Sequence, residues 1–193
     1  FAPVLDGVAH IHARDFIHRD IKPSSIYLTH EGQLILLDFG SARQALREKS
    51  QSMTTILSPG FAPWEQYHRK GKQGPWTDVY ACAATLYAMV TGQAPSDGAE
   101  RAIDDDMEPV ENVVPGIDQS LATAINQGLA INPELRPQTA GAFQAILLGR
   151  EIGGLQSANN SLSSVGIDVA HAITEPIEKK LVIEGTTDDM PQN

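Results

Sequence analysis

His18-Arg19-Asp20-Ile21-Lys22-Pro23-Ser24-Ser25 runs into Ile26-Tyr27-Leu28, and the apolar run Gln33–Leu37 ends directly in Asp38-Phe39-Gly40. Residues 18–25 are polar and carry a proline, which marks a loop. Ile26–Thr29 and Gln33–Leu37 are short β-type runs separated by His30-Glu31-Gly32, and this predicts a tight hairpin. The second run is apolar without alternation, which predicts that both of its faces are covered.

Upstream, Val4, Leu5, Val8, Ile11 and His12 recur at helical spacing, so residues 1 to about 15 read as one amphipathic helix. Downstream, residues 41–60 are polar with little periodicity, and a loop this long in a compact domain is usually functional or disordered. Thr77 is the expected N-cap of the next helix, with Asp78 in its first turn near the positive helix end. That helix runs to Thr91, is apolar nearly all round, and stops at Gly92, which predicts a buried spine. Leu121, Ala124, Ile125 and Leu129 mark a further helix ended by Asn132-Pro133. Thr139 caps a last one carrying Phe143, Ile146 and Leu147. Beyond Arg150 the aromatics vanish and Gly, Ser and Asn cluster, with at most a weak helix near 163–174. Residues 150–193 therefore read as a linker or disordered tail.

The chain has 193 residues, 41% hydrophobic and 20% charged, which suits one soluble domain with a real core. Its net charge of -10 argues against a nucleic-acid binder held by a basic surface. A single cysteine, Cys82, excludes a disulfide framework and a cysteine-rich zinc site. The longest apolar run, 79–90, is too short to cross a bilayer. The chain starts with Phe1 and shows no signal peptide, so it reads as a fragment of a cytoplasmic protein. Residues 1–80 carry nine Lys/Arg against eight Asp/Glu, and residues 81–193 carry five against sixteen. The chemistry is expected in the balanced half. Asp104-Asp105-Asp106 reads as a solvated acidic loop, with chelation of a cation or attraction of a basic substrate as the functional alternatives. The histidines other than His18 lack metal-ligand spacing and read as structural or surface residues.

Four elements stand in fixed order: His18-Arg19-Asp20 with Lys22, then Asp38-Phe39-Gly40, then Pro63-Trp64-Glu65, then Asp78, with Arg136 far downstream. Each is weak alone. Their joint order, with hairpin, long loop and buried helix in the gaps, resembles the C-terminal lobe of the eukaryotic-like protein kinases, and most of all the bacterial serine/threonine branch. The resemblance covers residues 1–149. It implies a mainly α member of an α+β family, with a short β-hairpin beside the catalytic loop. The N-terminal lobe, with its glycine-rich turn and lysine, would precede Phe1 in the intact protein.

The resemblance implies transfer of the ATP γ-phosphate to Ser/Thr hydroxyls of a protein substrate, with Mg²⁺. Such chemistry needs positioning and charge neutralisation more than covalent catalysis. Asp20 would accept the hydroxyl proton, and Lys22 would stabilise charge on the transferred phosphoryl. Asp38 would hold Mg²⁺ through hard oxygen, and Gly40 after Phe39 would permit the sharp turn that follows. Ser25 stands where the family has an asparagine as second Mg²⁺ ligand. A hydroxyl is shorter and donates more weakly, so a pseudokinase or interaction module is the alternative reading. A small-molecule phosphotransferase ranks third, because 41–66 resembles a peptide-binding activation segment.

The remaining assignments also follow from the resemblance. Arg19 would pair with a phosphate on the activation loop, with Ser50, Ser52, Thr54 and Thr55 as candidate acceptors. Ser58 stands where a threonine is usual and would touch Asp20 and Lys22, while Leu57 replaces a usual glycine. Glu65 and Arg136 would tie the activation segment to the last helices, and Asp78 would hold the backbone of the His18-Arg19-Asp20 loop.

Overall fold

The core is built around one helix that shows no polar face. A computed structural model describes residues 1–37, 57–68 and 70–150. Helix α1 spans Ala2–His12, strands β1 and β2 span Ile26–Leu28 and Leu34–Leu36, and helix α2 spans Pro75–Thr91. Helices α3 (Gly98–Arg101), α4 (Val110–Val113), α5 (Gln119–Gly128) and α6 (Ala140–Leu147) follow. Every residue of α2 from Thr77 to Leu86 is buried, as is Met89. This is the spine that the all-round apolar pattern predicts. α5 and α6 pack on it and on each other, and α1 packs on α6 and β2. Gly128 permits that closeness, since a Cβ there would collide with the Ala83 methyl and crowd the Phe143 ring.

Three boundaries differ from expectation. Thr77 is not the N-cap of α2. Pro75 opens the helix, its fixed φ and missing N–H suiting the first position, and Gly74 is the N-cap. Thr77 instead turns its hydroxyl back to accept the Gly74 N–H at 3.2 Å. At the other end Gly92 behaves as expected, with φ +73° and its N–H on the Ala88 carbonyl. Helix α5 stops at Gly128, before Asn132-Pro133, and Asn132 caps the separate 3₁₀ turn Pro133–Leu135 through the Glu134 N–H. Thr139 caps α6 as expected, accepting the Ala142 N–H at 3.1 Å. Helix α1 closes at His12, short of 15. The acidic region 92–118 holds α3 and α4, which no periodicity announced.

The hairpin is antiparallel, pairing Ile26 with Leu36, Tyr27 with Ile35 and Leu28 with Leu34. The expectation that both faces of the second run are covered fails. Leu36 is buried, whereas Ile35 and Leu37 are 44% and 45% exposed and Tyr27 is 51% exposed. Only one face of this two-stranded sheet rests on the helices. Among the described residues no helix is long and apolar enough to cross a membrane. The expected tail, with its weak helix, and most of the long loop 41–60 lie outside the described residues.

Candidate active site

Asp78 organises the loop that carries the candidate chemistry. It sits fully buried in the first turn of α2, and its two oxygens accept the His18 N–H at 2.7 Å and the Arg19 N–H at 2.8 Å. Arg19 takes φ +69°, which is unfavourable for a residue with a Cβ. A buried carboxylate accepting two backbone donors holds such a turn in place. His12 Nε2 lies 2.7 Å from the same Asp78 oxygen, with its side chain 8% exposed. His12 is thus a structural histidine, tying α1 to α2 and to the loop. A further clamp comes from Gln66, whose amide donates to the Arg19 carbonyl at 3.0 Å.

The loop so fixed presents Asp20, Lys22 and Ser25. Ser58 donates its hydroxyl to Asp20 Oδ1 at 2.7 Å. Lys22 Nζ donates to Ser58 Oγ at 2.9 Å and pairs with Asp20 Oδ2 at 3.0 Å. The expected contact of Ser58 with both residues is therefore present. Ser25 is 4% exposed and donates its hydroxyl to the Asp20 carbonyl at 3.0 Å, while its own carbonyl accepts the Leu37 N–H at 2.7 Å. Asp38, Phe39, Gly40, Ser50, Ser52, Thr54 and Thr55 lie outside the described residues, so the structure speaks for only part of the predicted set.

Glu65 and Arg136 meet as expected. Arg136 donates from Nη1 to Glu65 Oε1 at 2.7 Å and from Nη2 to Oε2 at 3.2 Å, a bidentate pair, and both residues are buried. Arg136 also donates to the carbonyls of Ala130 and Ile131 and lies 4.9 Å over the Tyr80 ring. Thr77 donates to Glu65 Oε1, so the start of α2 joins the same cluster. Sequence reasoning missed Arg101. It is buried, donates to the Tyr80 hydroxyl and the Leu129 carbonyl, and pairs with Asp105 through two hydrogen bonds of 2.8 and 3.1 Å. Asp104, Asp105 and Asp106 are exposed, as a solvated acidic loop requires, but Asp105 is in addition the partner of a buried cation. The i, i+4 spacing of Arg101 and Asp105 was the available signal.

Can this cluster hold a nucleotide with its metal ion? Among the described residues no group of three or more His, Cys, Asp or Glu side chains is placed to hold a metal ion. The donor chemistry nevertheless fits in part. Lys22 offers a cation to a phosphate, and Ser25 Oγ, its hydrogen given to Asp20, keeps lone pairs as a neutral hard ligand.

A family model described as the protein kinase domain matches residues 1–146. This chain belongs to the protein kinase domain family. Serine/threonine-protein kinase PknL of Mycobacterium tuberculosis is 30% identical over 151 residues, which cover 75% of this chain and 38% of that protein. Serine/threonine-protein kinase F of a Synechocystis species is 42% identical over 98 residues, 49% of this chain and 19% of that one. Among solved structures, the apo form of PpkA-294 matches with a TM-score of 0.64 at 36% identity, covering 75% of this chain and 51% of that one. The matched region thus spans well under half the length of these curated relatives. The kinase fold and the bacterial serine/threonine branch both stand as the sequence implied.

Proposed function

We propose that this chain is the C-terminal lobe of a serine/threonine protein kinase that transfers the ATP γ-phosphate to protein hydroxyls in the cytoplasm. Residues 1–149 form the lobe, 150–193 a linker or tail, and an N-terminal lobe in the intact protein completes the ATP site. The observation that carries this reading is the Ser58–Asp20–Lys22 cluster. Asp20 already receives a serine hydroxyl at 2.7 Å, within the distance a general base needs. A substrate hydroxyl taking that contact would be oriented for attack and would lose its proton to Asp20. Lys22, 3.0 Å from the same carboxylate, stands ready to meet charge on the transferred phosphoryl. Asp38 and Ser25 would hold Mg²⁺, which supplies charge neutralisation at the phosphates. His18, Arg19, Phe39, Gly40, Asp78, Glu65 and Arg136 position rather than react. Thr54 and Thr55 remain the candidate activating phosphosites.

The test is transfer of radiolabelled phosphate by the full-length protein, with Asp20→Asn as control. Transfer lost in that variant supports the reading, and transfer unchanged ends it. One observation favours a second reading, a pseudokinase that signals by binding. Ser25 spends its only hydrogen on the Asp20 carbonyl and has no amide oxygen to extend toward a metal. The same assay separates the two, since a pseudokinase gives no label in either protein.

A further inference from the structure

Ser58 makes to Asp20 and Lys22 the contacts that the kinase reading asks of a substrate hydroxyl. Its Oγ–H points at Asp20 Oδ1 at 2.7 Å, and Lys22 Nζ donates to that same Oγ at 2.9 Å. One lone pair of Oγ takes the lysine proton, and the other is left for a further bond. Backbone holds the residue there: the Ser58 carbonyl accepts the N–H groups of Phe61 and Ala62 at 3.1 and 3.0 Å. Gly60 makes the turn possible at φ +79°, where a Cβ would also press on the Pro95 carbonyl. The cluster is not sealed, since the Asp20 and Lys22 side chains are 28% and 31% exposed.

We propose that Ser58 is a self-modification site, phosphorylated in cis by its own Asp20, and that the mark silences the enzyme. The proposal rests on the kinase reading above. In the step, Ser58 Oγ bonds to the γ-phosphorus of a nucleoside triphosphate. The bond from that phosphorus to the β,γ-bridging oxygen breaks, its electron pair leaves with the nucleoside diphosphate, and the Oγ proton passes to Asp20 Oδ1. A tethered nucleophile already on its base has a high effective concentration, so the reaction competes with external substrates. The product carries roughly two negative charges at pH 7. They stand against the Asp20 carboxylate and draw Lys22 into a phosphate pair, so neither residue serves a substrate afterwards. A second copy cannot bring its own Asp20 to an Oγ already held inside this site, so the reaction is intramolecular.

The experiment incubates full-length protein with Mg-ATP and histone H1 at two enzyme concentrations. Mass spectrometry follows the Ser58 phosphopeptide while labelled phosphate on the histone is counted. The expected result is a Ser58 mark whose first-order rate constant is the same at both concentrations. Histone turnover per enzyme falls as the mark accumulates, by on the order of 100-fold for the marked form, the share that general-base catalysis supplies. Phosphatase treatment restores it, and Asp20→Asn yields neither product. Histone labelled steadily with Ser58 unmodified overturns the proposal and leaves the kinase reading standing. A mark whose rate constant scales with enzyme concentration overturns the cis step, and a mark without loss of turnover overturns the silencing. Label on neither histone nor Ser58 overturns the kinase reading and the proposal with it.

Discussion

Asp20 and Ser25 share one short loop yet stand in different surroundings. Asp20 presents its carboxylate outward to a hydroxyl, and Ser25 lies beneath it, bonded to its carbonyl. Replacing Asp20 by Asn keeps the shape and removes the proposed proton acceptor. Phosphotransfer by the full-length protein should fall about 100-fold or more, with the circular dichroism spectrum unchanged. Ser25→Asn tests the other role. The amide N–H₂ can still donate to the Asp20 carbonyl while its oxygen reaches further toward a metal ion. The Mg²⁺ concentration for half-maximal rate should drop in that variant, and a requirement that stays put or rises would show that Ser25 is not a compromised ligand. Cys82 offers a control unconnected with catalysis. Burial pushes its thiol well above the ordinary range, with Asp78 adding to the effect. The raised folded pKa means its contribution to stability is complete below the unfolded thiol's pKa and drains away as pH climbs toward the folded one. In native protein at pH 8 a disulfide reagent such as DTNB should leave Cys82 unlabelled, with full reaction only in denaturant. Rapid native labelling would contradict its burial.

Between elements, long-range bonds do the fastening. Glu65 and Arg136 lie far apart in sequence, and their bidentate pair ties the turn Trp64–Gln66 to the connection between α5 and α6. Arg136→Ala strands the Glu65 carboxylate among buried groups. It should cost about 3–5 kcal/mol in urea unfolding, whereas an exposed pair would cost under about 1 kcal/mol. A loss at the lower figure would mean that water reaches Glu65. These fastenings also mark the limit of what sequence discloses. α2 was legible because an apolar run of helical length, interrupted only by Thr85, suits a buried helix, and the loop 18–25 because its residue types are distinctive together. The Asp78, Glu65–Arg136 and Ser58 contacts followed from the family resemblance. His12 on Asp78, Gln66 on the Arg19 carbonyl and Arg101 on Tyr80 did not follow. Each bond joins residues distant along the chain, and neither periodicity nor composition carries that information. The exposure of Ile35 and Leu37 was hidden for a related reason. An apolar run reports that a strand suits burial, while the number of packed faces depends on what lies beside it.

At the scale of the whole molecule, the fold and the site make different demands. The helices supply their own core: α2 is enclosed, α5 and α6 are capped and packed upon it, and α1 closes the side toward the hairpin. Among the described residues the helical core is closed without another lobe, so residues 1–193 should fold alone with a cooperative urea transition. The site is otherwise. Among the described residues only Lys22 and Ser25 belong to the proposed phosphate and metal set, and the apolar hairpin side formed by Tyr27, Ile35 and Leu37 stands in water. The partly exposed Asp20 and Lys22 have their field screened there, which weakens their hold on a charged ligand. Phosphoryl transfer draws most of its rate from holding the phosphates in place, and a wall on one side does not hold them. If residues 1–149 are one lobe, as proposed, this chain should neither bind Mg-ATP tightly nor transfer phosphate. Its exposed apolar face should also favour self-association at high concentration. Calorimetric titration of purified 1–193 with Mg-ATP checks this, with sedimentation beside it to report folding and association. A folded chain that releases no heat on titration and associates as its concentration rises fits the account. A dissociation constant in the micromolar range would mean that the described wall, with residues 38–56, already makes a nucleotide site, and the need for a second lobe would fall.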